Sequence, residues 1–256
     1  MVTAVITGAS SGLGKEYINA IIAQYPSVDA FWLVARRKEV LKEIAEEHPD
    51  KTIAAISLDL SKEESIGMFE QLLKENNPEI KVLVNNAGFG KCTDFFSSNR
   101  AFQTGMVDLN CRALTGITRL CLPYMLDNSL VLNISSIAAF APTPRMSVYS
   151  ATKAFVLALS KALHDELQPR GINVTAVCPG WTKTEFFDVA KKTGNPEEVK
   201  NFPLMTRAEN VVCKALRDSR RRKDISICGF HNKLHRLGAK LLPHRLVMAV
   251  WEKVKN

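Results

Sequence analysis

Thr7-Gly8-Ala9-Ser10-Ser11-Gly12-Leu13-Gly14 joins the apolar triplet Ala4-Val5-Ile6, which reads as a strand, to a helical pattern over roughly residues 13–25. Glycines at a strand-to-helix turn let the backbone approach a pyrophosphate and let the helix pack against the strand, while the helix N-terminus offers free N–H groups to an anion. The spacing is G-x-x-x-G-x-G rather than G-x-G-x-x-G. A glycine-rich turn alone reads equally well as a structural turn. Its position directly after the first strand and before a helix is what points to a nucleotide.

Outward from that turn, short apolar runs alternate with helical patterns. Strands are expected at Phe31–Val34, Ile53–Leu58, Val82–Val84, Leu130–Ile134, Ile172–Val177 and Ile225–Cys228. Helices are expected near residues 38–48, 62–76, 100–126, 148–169 and 207–218, with a mobile helical insert at 186–200. Strands rich in Val, Ile and Leu without polar alternation belong to a sheet buried on both faces. Alternation of strand and helix implies parallel strands with right-handed crossovers. The expected fold is therefore α/β, a Rossmann-like doubly wound parallel sheet in a single domain with a C-terminal helical extension. Ligands of such sheets bind where strand order reverses, at the carboxyl ends of the strands. Residues 1–228 would form the dinucleotide-binding and catalytic domain, and 229–256 a basic amphipathic tail.

A chain of 256 residues with 46% apolar content suits one such domain. The first strand begins right after the initiator Met, so no cleaved leader is expected. No apolar stretch approaches the roughly 20 residues that span a bilayer. The six cysteines are scattered without a C-x-x-C pair, which indicates neither a zinc site nor a disulfide framework and suits a reducing cytoplasm. The net charge of +8 is uneven: residues 1–213 carry 22 Lys+Arg against 23 Asp+Glu, and residues 214–256 carry 12 against 3. A neutral body with a basic tail does not suggest nucleic acid, which a uniformly basic domain would.

The second strand ends in Arg36-Arg37, with no Asp or Glu to bind a ribose 2′-hydroxyl. Arginine there can accept the 2′-phosphate of NADP(H), although with Lys38 the pair also reads as a solvated helix start. Asp59-Leu60 closes the third strand; Asp59 can meet an adenine amino group or cap the next helix. Tyr149-Ser150-Ala151-Thr152-Lys153 sets Tyr and Lys four apart, on one helical face. A nearby ammonium is expected to lower a phenol pKa from its usual value near 10.

Together with Asn85-Asn86-Ala87-Gly88, Asn110, Ser136 and Pro179-Gly180, these motifs make the sequence resemble the short-chain dehydrogenase/reductase family, in the family's order, over residues 2 to about 185. The resemblance implies that Tyr149 acts as acid or base, that Lys153 tunes Tyr149 and holds the nicotinamide ribose, and that Ser136 bonds the substrate oxygen. Ser135 is the weaker candidate, because strand alternation turns it away. Asn110 would bend its helix and anchor a relay water. The implied NADP(H) site comprises Gly8, Ser10, Ser11, Gly12, Leu13, Gly14, Arg36, Arg37, Asp59, Leu60, Asn86, Ala87, Gly88, Tyr149, Lys153, Pro179, Gly180, Thr182 and Thr184. The reaction would interconvert a ketone or aldehyde and an alcohol, and the family's usual state is a homodimer or homotetramer.

Three segments are expected to wall the substrate pocket: Phe89–Phe96, Ile137–Ser147 and Trp181 to about Met205. Their aromatics (Phe89, Phe95, Phe96, Phe140, Trp181, Phe186, Phe187, Phe202) and Met146 suit a bulky hydrophobic carbonyl such as a steroid, lipid or aromatic ketone. Lys183, Lys191 and Lys192 would instead suit an acidic substrate such as a bile acid. In the tail, Leu234, Leu237 and Leu241 form one apolar stripe and Leu246, Val247, Val250, Trp251 and Val254 a second, separated by Pro243. Packing over the pocket or on a second subunit is the default for such helices; a membrane surface is the alternative. A catalytically idle NADP(H)-binding sensor that uses its basic tail is the other functional class.

Overall fold

The computed structural model describes residues 1–185 and 204–254. The insert at 186–200, Phe186, Phe187, Lys191, Lys192 and Phe202 lie outside the described residues, as does the side chain of Val254. The main sheet has seven parallel strands: β1 (Val2–Thr7), β2 (Ala30–Ala35), β3 (Thr52–Ser57), β4 (Glu79–Asn85), β5 (Met125–Ile134), β6 (Asn173–Val177) and β9 (Ile225–Ser226). Their order is β3-β2-β1-β4-β5-β6-β9. Strand order reverses between β1 and β4, where the doubly wound rule puts a ligand crevice. A two-stranded parallel ribbon, β7 (Thr182–Lys183) and β8 (Thr206–Arg207), lies apart from the sheet.

Alternation along β1 sends Ala4 and Ile6 into one core layer and Val5 into the other. The first layer is closed by α1 (Leu13–Gln24), α2 (Lys38–Glu46) and α7 (Ala208–Arg220), through Ile18 and Ile21, Leu41 and Ile44, and Val212 and Leu216. The second is closed by α3 (Glu63–Asn76) and α5 (Leu114–Cys121), through Ile66, Phe69 and Leu73 and through Ile117 and Cys121. Several polar groups buried between sheet and helices are paired, although Asn85 Oδ1, Asn173 Oδ1 and the Tyr17 hydroxyl are not, among the described residues. Asn85 Nδ2 donates to Thr118 Oγ1 and to Asn133 Oδ1, each at 2.8 Å, and Asn133 Nδ2 donates to Ser160 Oγ at 3.0 Å. This ladder ties β4 and β5 to α5 and to α6 (Ser147–Glu166) behind the crevice.

The helix expected over 100–126 is shorter and interrupted. It runs as α4 (Arg100–Val107), a π turn (Asp108–Ala113) and α5, then ends in a short 3-10 turn containing Pro123. Proline lacks the N–H needed to continue, and Met125 already pairs with Ile80 as the first residue of β5. The strand therefore starts five residues before the expected Leu130. The register slips between Ile80 and Val82, and Asn128 takes φ 57°.

Beyond β9 two helices follow, α8 (Phe230–Leu241) and α9 (His244–Val254), separated by Pro243 as expected. α8 buries Asn232 and Ala239. Trp251 of α9 stacks on Trp181 with ring centroids 6.0 Å apart, and its indole N–H donates to the Pro144 carbonyl at 3.2 Å. The tail thus folds back over the crevice. The Leu234, Leu237 and Leu241 stripe takes no part in that packing, and all three side chains are exposed.

Candidate active site

A cavity of about 660 Å³ opens along the carboxyl ends of β1, β2, β4 and β5 and runs from Arg36 and Asp59 at one end to Tyr149 and Trp251 at the other. Gly8 sits at φ 64°, and a Cβ there would stand 2.8 Å from Asn86 Nδ2 and 2.9 Å from the Ala87 backbone. Asn86 Nδ2 donates to the carbonyls of Thr7 and Gly8, at 3.2 and 3.0 Å, which locks the end of β4 to the glycine turn. Gly12 takes φ 51°, and no side chain caps α1. In the first turn of that helix the Gly14 N–H is taken by the Ser11 carbonyl at 3.0 Å, while the positive end stays open to whatever enters the cleft. These features fit a pyrophosphate. Of the turn residues expected to hold the cofactor, Gly14 alone is absent from the cavity wall. A Cβ there would stand 2.2 Å from the Gly8 carbonyl oxygen, so this glycine permits the close contact of α1 with the turn.

Ser10, Ser11, Leu13, Arg36, Arg37, Asp59, Leu60, Ala87, Gly88, Pro179, Gly180, Thr182 and Thr184 all line the cavity. Arg37 lies across the end marked by Arg36 and Asp59: its guanidinium donates to Ser10 Oγ at 3.2 Å, to the Ser10 carbonyl at 2.9 Å and to Glu185 Oε2 at 3.2 Å. Glu185 was not singled out from sequence, since its proximity to Arg37 depends on a contact 148 residues apart. Asp59 Oδ1 accepts from the N–H and hydroxyl of Ser61, at 3.2 and 2.7 Å. Burial raises the Asp59 pKa, but these bonds and the charge of Arg36 outweigh it and hold the carboxyl below its ordinary range.

At the opposite end, Tyr149, Lys153 and Ser136 face the cavity together and are each nearly buried. Ser136 stands beside the Tyr149 phenol as a hydrogen-bonding neighbour that works against burial and lowers the phenol's pKa. Ser135 Oγ is committed to the Lys153 carbonyl at 2.7 Å, as strand alternation implied. Lys153 Nζ donates to the Ile134 carbonyl at 2.8 Å and stands 5.8 Å from the centre of the Tyr149 ring. The expected lowering of the phenol is reversed here. Burial pushes Tyr149 up to about 12 against the Ser136 hydrogen bond, and burial drives Lys153 down to about 8. Both groups are pressed toward their neutral forms, because desolvation outweighs the distant ammonium.

Asn110 lies behind this wall, 1% exposed in the π turn. Its Oδ1 accepts from Phe89 N–H at 3.0 Å, and its Nδ2 donates to the Phe89 carbonyl at 2.9 Å and to Thr152 Oγ1 at 3.0 Å. A Cβ on Gly88 would stand 2.8 Å from Asn110 Oδ1 and 3.5 Å from Lys153 Nζ, so glycine at 88 lets both groups approach the strand end.

The substrate end of the wall carries Phe89, Met146 and Trp181 as expected, but not the other described aromatics. Phe95 and Phe96 are 64% and 98% exposed on the outer surface. Phe140 packs against His235, 6.4 Å between ring centroids, and joins the small core under β6. Lys183 points to solvent on β7. The tail supplies what those segments do not, with His231, Asn232, His235, Val247, Val250 and Trp251 all in the wall. Packing over the pocket is one of the two default destinations expected for it.

The chain matches the short chain dehydrogenase family over residues 2–194. It belongs to that family. As an oxidoreductase of this kind it shares 30% identity over 233 residues with the very-long-chain 3-oxoacyl-CoA reductase of Rattus norvegicus, covering 84% of this chain and 73% of the relative. Among solved structures, a short-chain dehydrogenase from Sphingobium yanoikuyae in complex with NADPH aligns at TM-score 0.80 and 30% identity, covering 97% of this chain and 96% of that one. A bulky-bulky ketone specific alcohol dehydrogenase from Comamonas testosteroni aligns at TM-score 0.71 and 30% identity, covering 94% and 93%.

Proposed function

We propose that this short-chain dehydrogenase interconverts a bulky hydrophobic ketone and its alcohol with NADP(H), using Ser136, Tyr149 and Lys153 as catalytic groups and Asn110 as their support. The observation that carries the reading is the convergence of Ser136, Tyr149 and Lys153 on the wall of a cavity whose other end holds two arginines. A bound nicotinamide would supply or accept the hydride. Ser136 Oγ and Tyr149 Oη together provide two donors for a substrate oxygen, the arrangement that stabilises a developing alkoxide. Because burial keeps Tyr149 protonated at neutral pH, its Oη can deliver the proton that ketone reduction requires. Lys153 Nζ, with a pKa of about 8, is close to ambient pH and suited to pass a proton onward. Asn110 fixes the Phe89 backbone at the substrate end of the wall.

Arg36 and Arg37, with no acidic side chain closing β2, support NADP(H) over NAD(H). An NADPH complex and a bulky-ketone enzyme among the structural neighbours support the same reading. The apolar substrate end, walled by Phe89, Met146, Val247 and Trp251, supports a ring-bearing or long-chain ketone. Residues 1–228 are proposed as the catalytic unit and 229–256 as the tail that closes it, in a cytoplasmic homo-oligomer.

The test is turnover of aromatic, steroid and long-chain ketones with NADPH and with NADH. Tyr149→Phe is expected to lower kcat by about 10²–10⁴-fold with cofactor binding retained. Replacement of Arg36 and Arg37 by Ala is expected to weaken NADPH selectively. Tight NADPH binding with no turnover of any ketone, or activity unchanged in Tyr149→Phe, would overturn the proposal.

A further inference from the structure

We propose that the outward face of α8 and α9 docks on an anionic lipid surface. At about 100° per residue, Phe230, Leu234, Leu237 and Leu241 fall within an arc of about 60° on α8. All four are more than half exposed, at 81, 57, 52 and 70%. The buried residues of the same helix, Asn232 and Ala239, occupy the opposite side. The apolar stripe therefore points directly away from the protein, the reverse of the usual arrangement for a surface helix. Leu242 and Leu246 extend it across Pro243, and Val250 continues it along α9.

Lysine and arginine border the stripe. Lys233, Arg236 and Lys240 flank it on one side of α8, and Arg245 and Lys253 lie on α9, against a single acid, Glu252. An apolar face edged by cations is the pattern of a helix lying in a bilayer interface, where leucines enter the acyl boundary and cations meet lipid phosphates. Charge also decides against a second copy of this chain as the occupant. A two-fold contact brings two basic patches together, with only Glu252 of each copy's α8 and α9 to offset them. No described helix is long and apolar enough to cross a membrane, so the contact is one of surface docking. Val250 is both exposed on this surface and part of the cavity wall, and Trp251 beside it stacks on Trp181. The docked face thus borders the substrate chamber. If the ketone reading above holds, a lipid-dissolved substrate would reach it without crossing bulk water; the docking itself does not depend on that reading.

The test is flotation of the full chain with vesicles of phosphatidylcholine alone and of phosphatidylcholine mixed with phosphatidylglycerol. Binding is expected to the anionic vesicles only, and to weaken as salt is raised. Leu234→Glu with Leu241→Glu should remove it. Lys233→Gln with Lys240→Gln should lower it by about tenfold or more, since each basic residue near such a surface contributes about fivefold. All four side chains are exposed, so both variants should retain the wild-type melting temperature. The proposal fails if the chain floats with neither vesicle or if the leucine variant floats as well as wild type. It also fails if sedimentation finds a dimer that the leucine variant dissolves, which would assign the face to a subunit contact.

Discussion

Replacing Lys153 by Met should change how stability depends on pH by a calculable amount. Burial lowers the pKa of this ammonium from its ordinary value of 10.5 to about 8 in the folded chain. Below about pH 8 both folded and unfolded chains hold the proton, and the folded state bears the full cost of the buried charge. Above that, the folded chain sheds the proton while the unfolded chain keeps it up to about pH 10.5, so the unfolding free energy rises with pH across that window. Between about pH 7 and about pH 10, with a limiting slope of about 1.4 kcal/mol for each pH step of one, the gain is about 2–3 kcal/mol. Met fills the same space with nothing to titrate, so this increment should vanish in the variant. Urea unfolding followed by tryptophan fluorescence at both pH values, for wild type and variant, isolates the Lys153 contribution. Most buried tyrosines and cysteines titrate alike in the two proteins and cancel; Cys111 and Cys178, whose pKa values burial raises and the Lys153 charge lowers, are replaced by Ala in both. Wild type should gain about 2–3 kcal/mol more than the variant over this range. A difference under about 0.5 kcal/mol, or one of opposite sign, would show that Lys153 is not desolvated in the folded chain.

Gly14→Ala should destabilise the fold by about 1–3 kcal/mol in thermal unfolding, because the new methyl meets the Gly8 carbonyl oxygen at 2.2 Å. Trp251→Ala should raise KM for bulky ketones by about tenfold while kcat on a small ketone changes little, as expected for loss of a wall contact shared by ground and transition states. Asp218→Ala should cost about 1–3 kcal/mol at neutral pH, since it removes a 2%-exposed carboxylate from Ser226, while the Lys214 and Lys223 ammoniums left behind still reach solvent. The Asp218 pKa lies below its ordinary value: burial raises it, and the hydrogen bonds from those partners more than reverse the effect. Its stabilisation is therefore present above the unfolded carboxyl pKa and is lost as pH falls through the folded one, so acid unfolding of the variant should be flatter.

The sheet was legible because its strands are short apolar runs set off by glycine turns and charged helices, a pattern with one economical packing. The Gly8–Gly14 turn and the Tyr149–Lys153 pair were legible because their chemistry depends on local spacing, which sequence preserves. The misreadings involve contacts between distant residues. Leu122 to Met125 continues the apolar helical pattern, and only the pairing of Met125 with Ile80 shows where β5 begins. Phe95, Phe96 and Phe140 sit in the expected segments, but which way they face is decided by tertiary packing. The Tyr149 pKa moves opposite to expectation because spacing reveals that an ammonium is near, not how much water both groups lose. The tail's two stripes were visible, yet of them only Val247, Val250 and Trp251 reach the cavity wall, and nothing in an apolar period distinguishes a face that meets protein from one that does not.

Trp251 stands on Trp181 near the end of the chain, well past residue 194 where the family match stops. The parts that would handle the hydride and proton are thus encoded apart from a part that shapes the chamber. Under the proposed function, exchanging the last helix would change the molecules admitted and leave the catalytic groups untouched. Swapping tails between related dehydrogenases would be a direct way to transplant substrate preference.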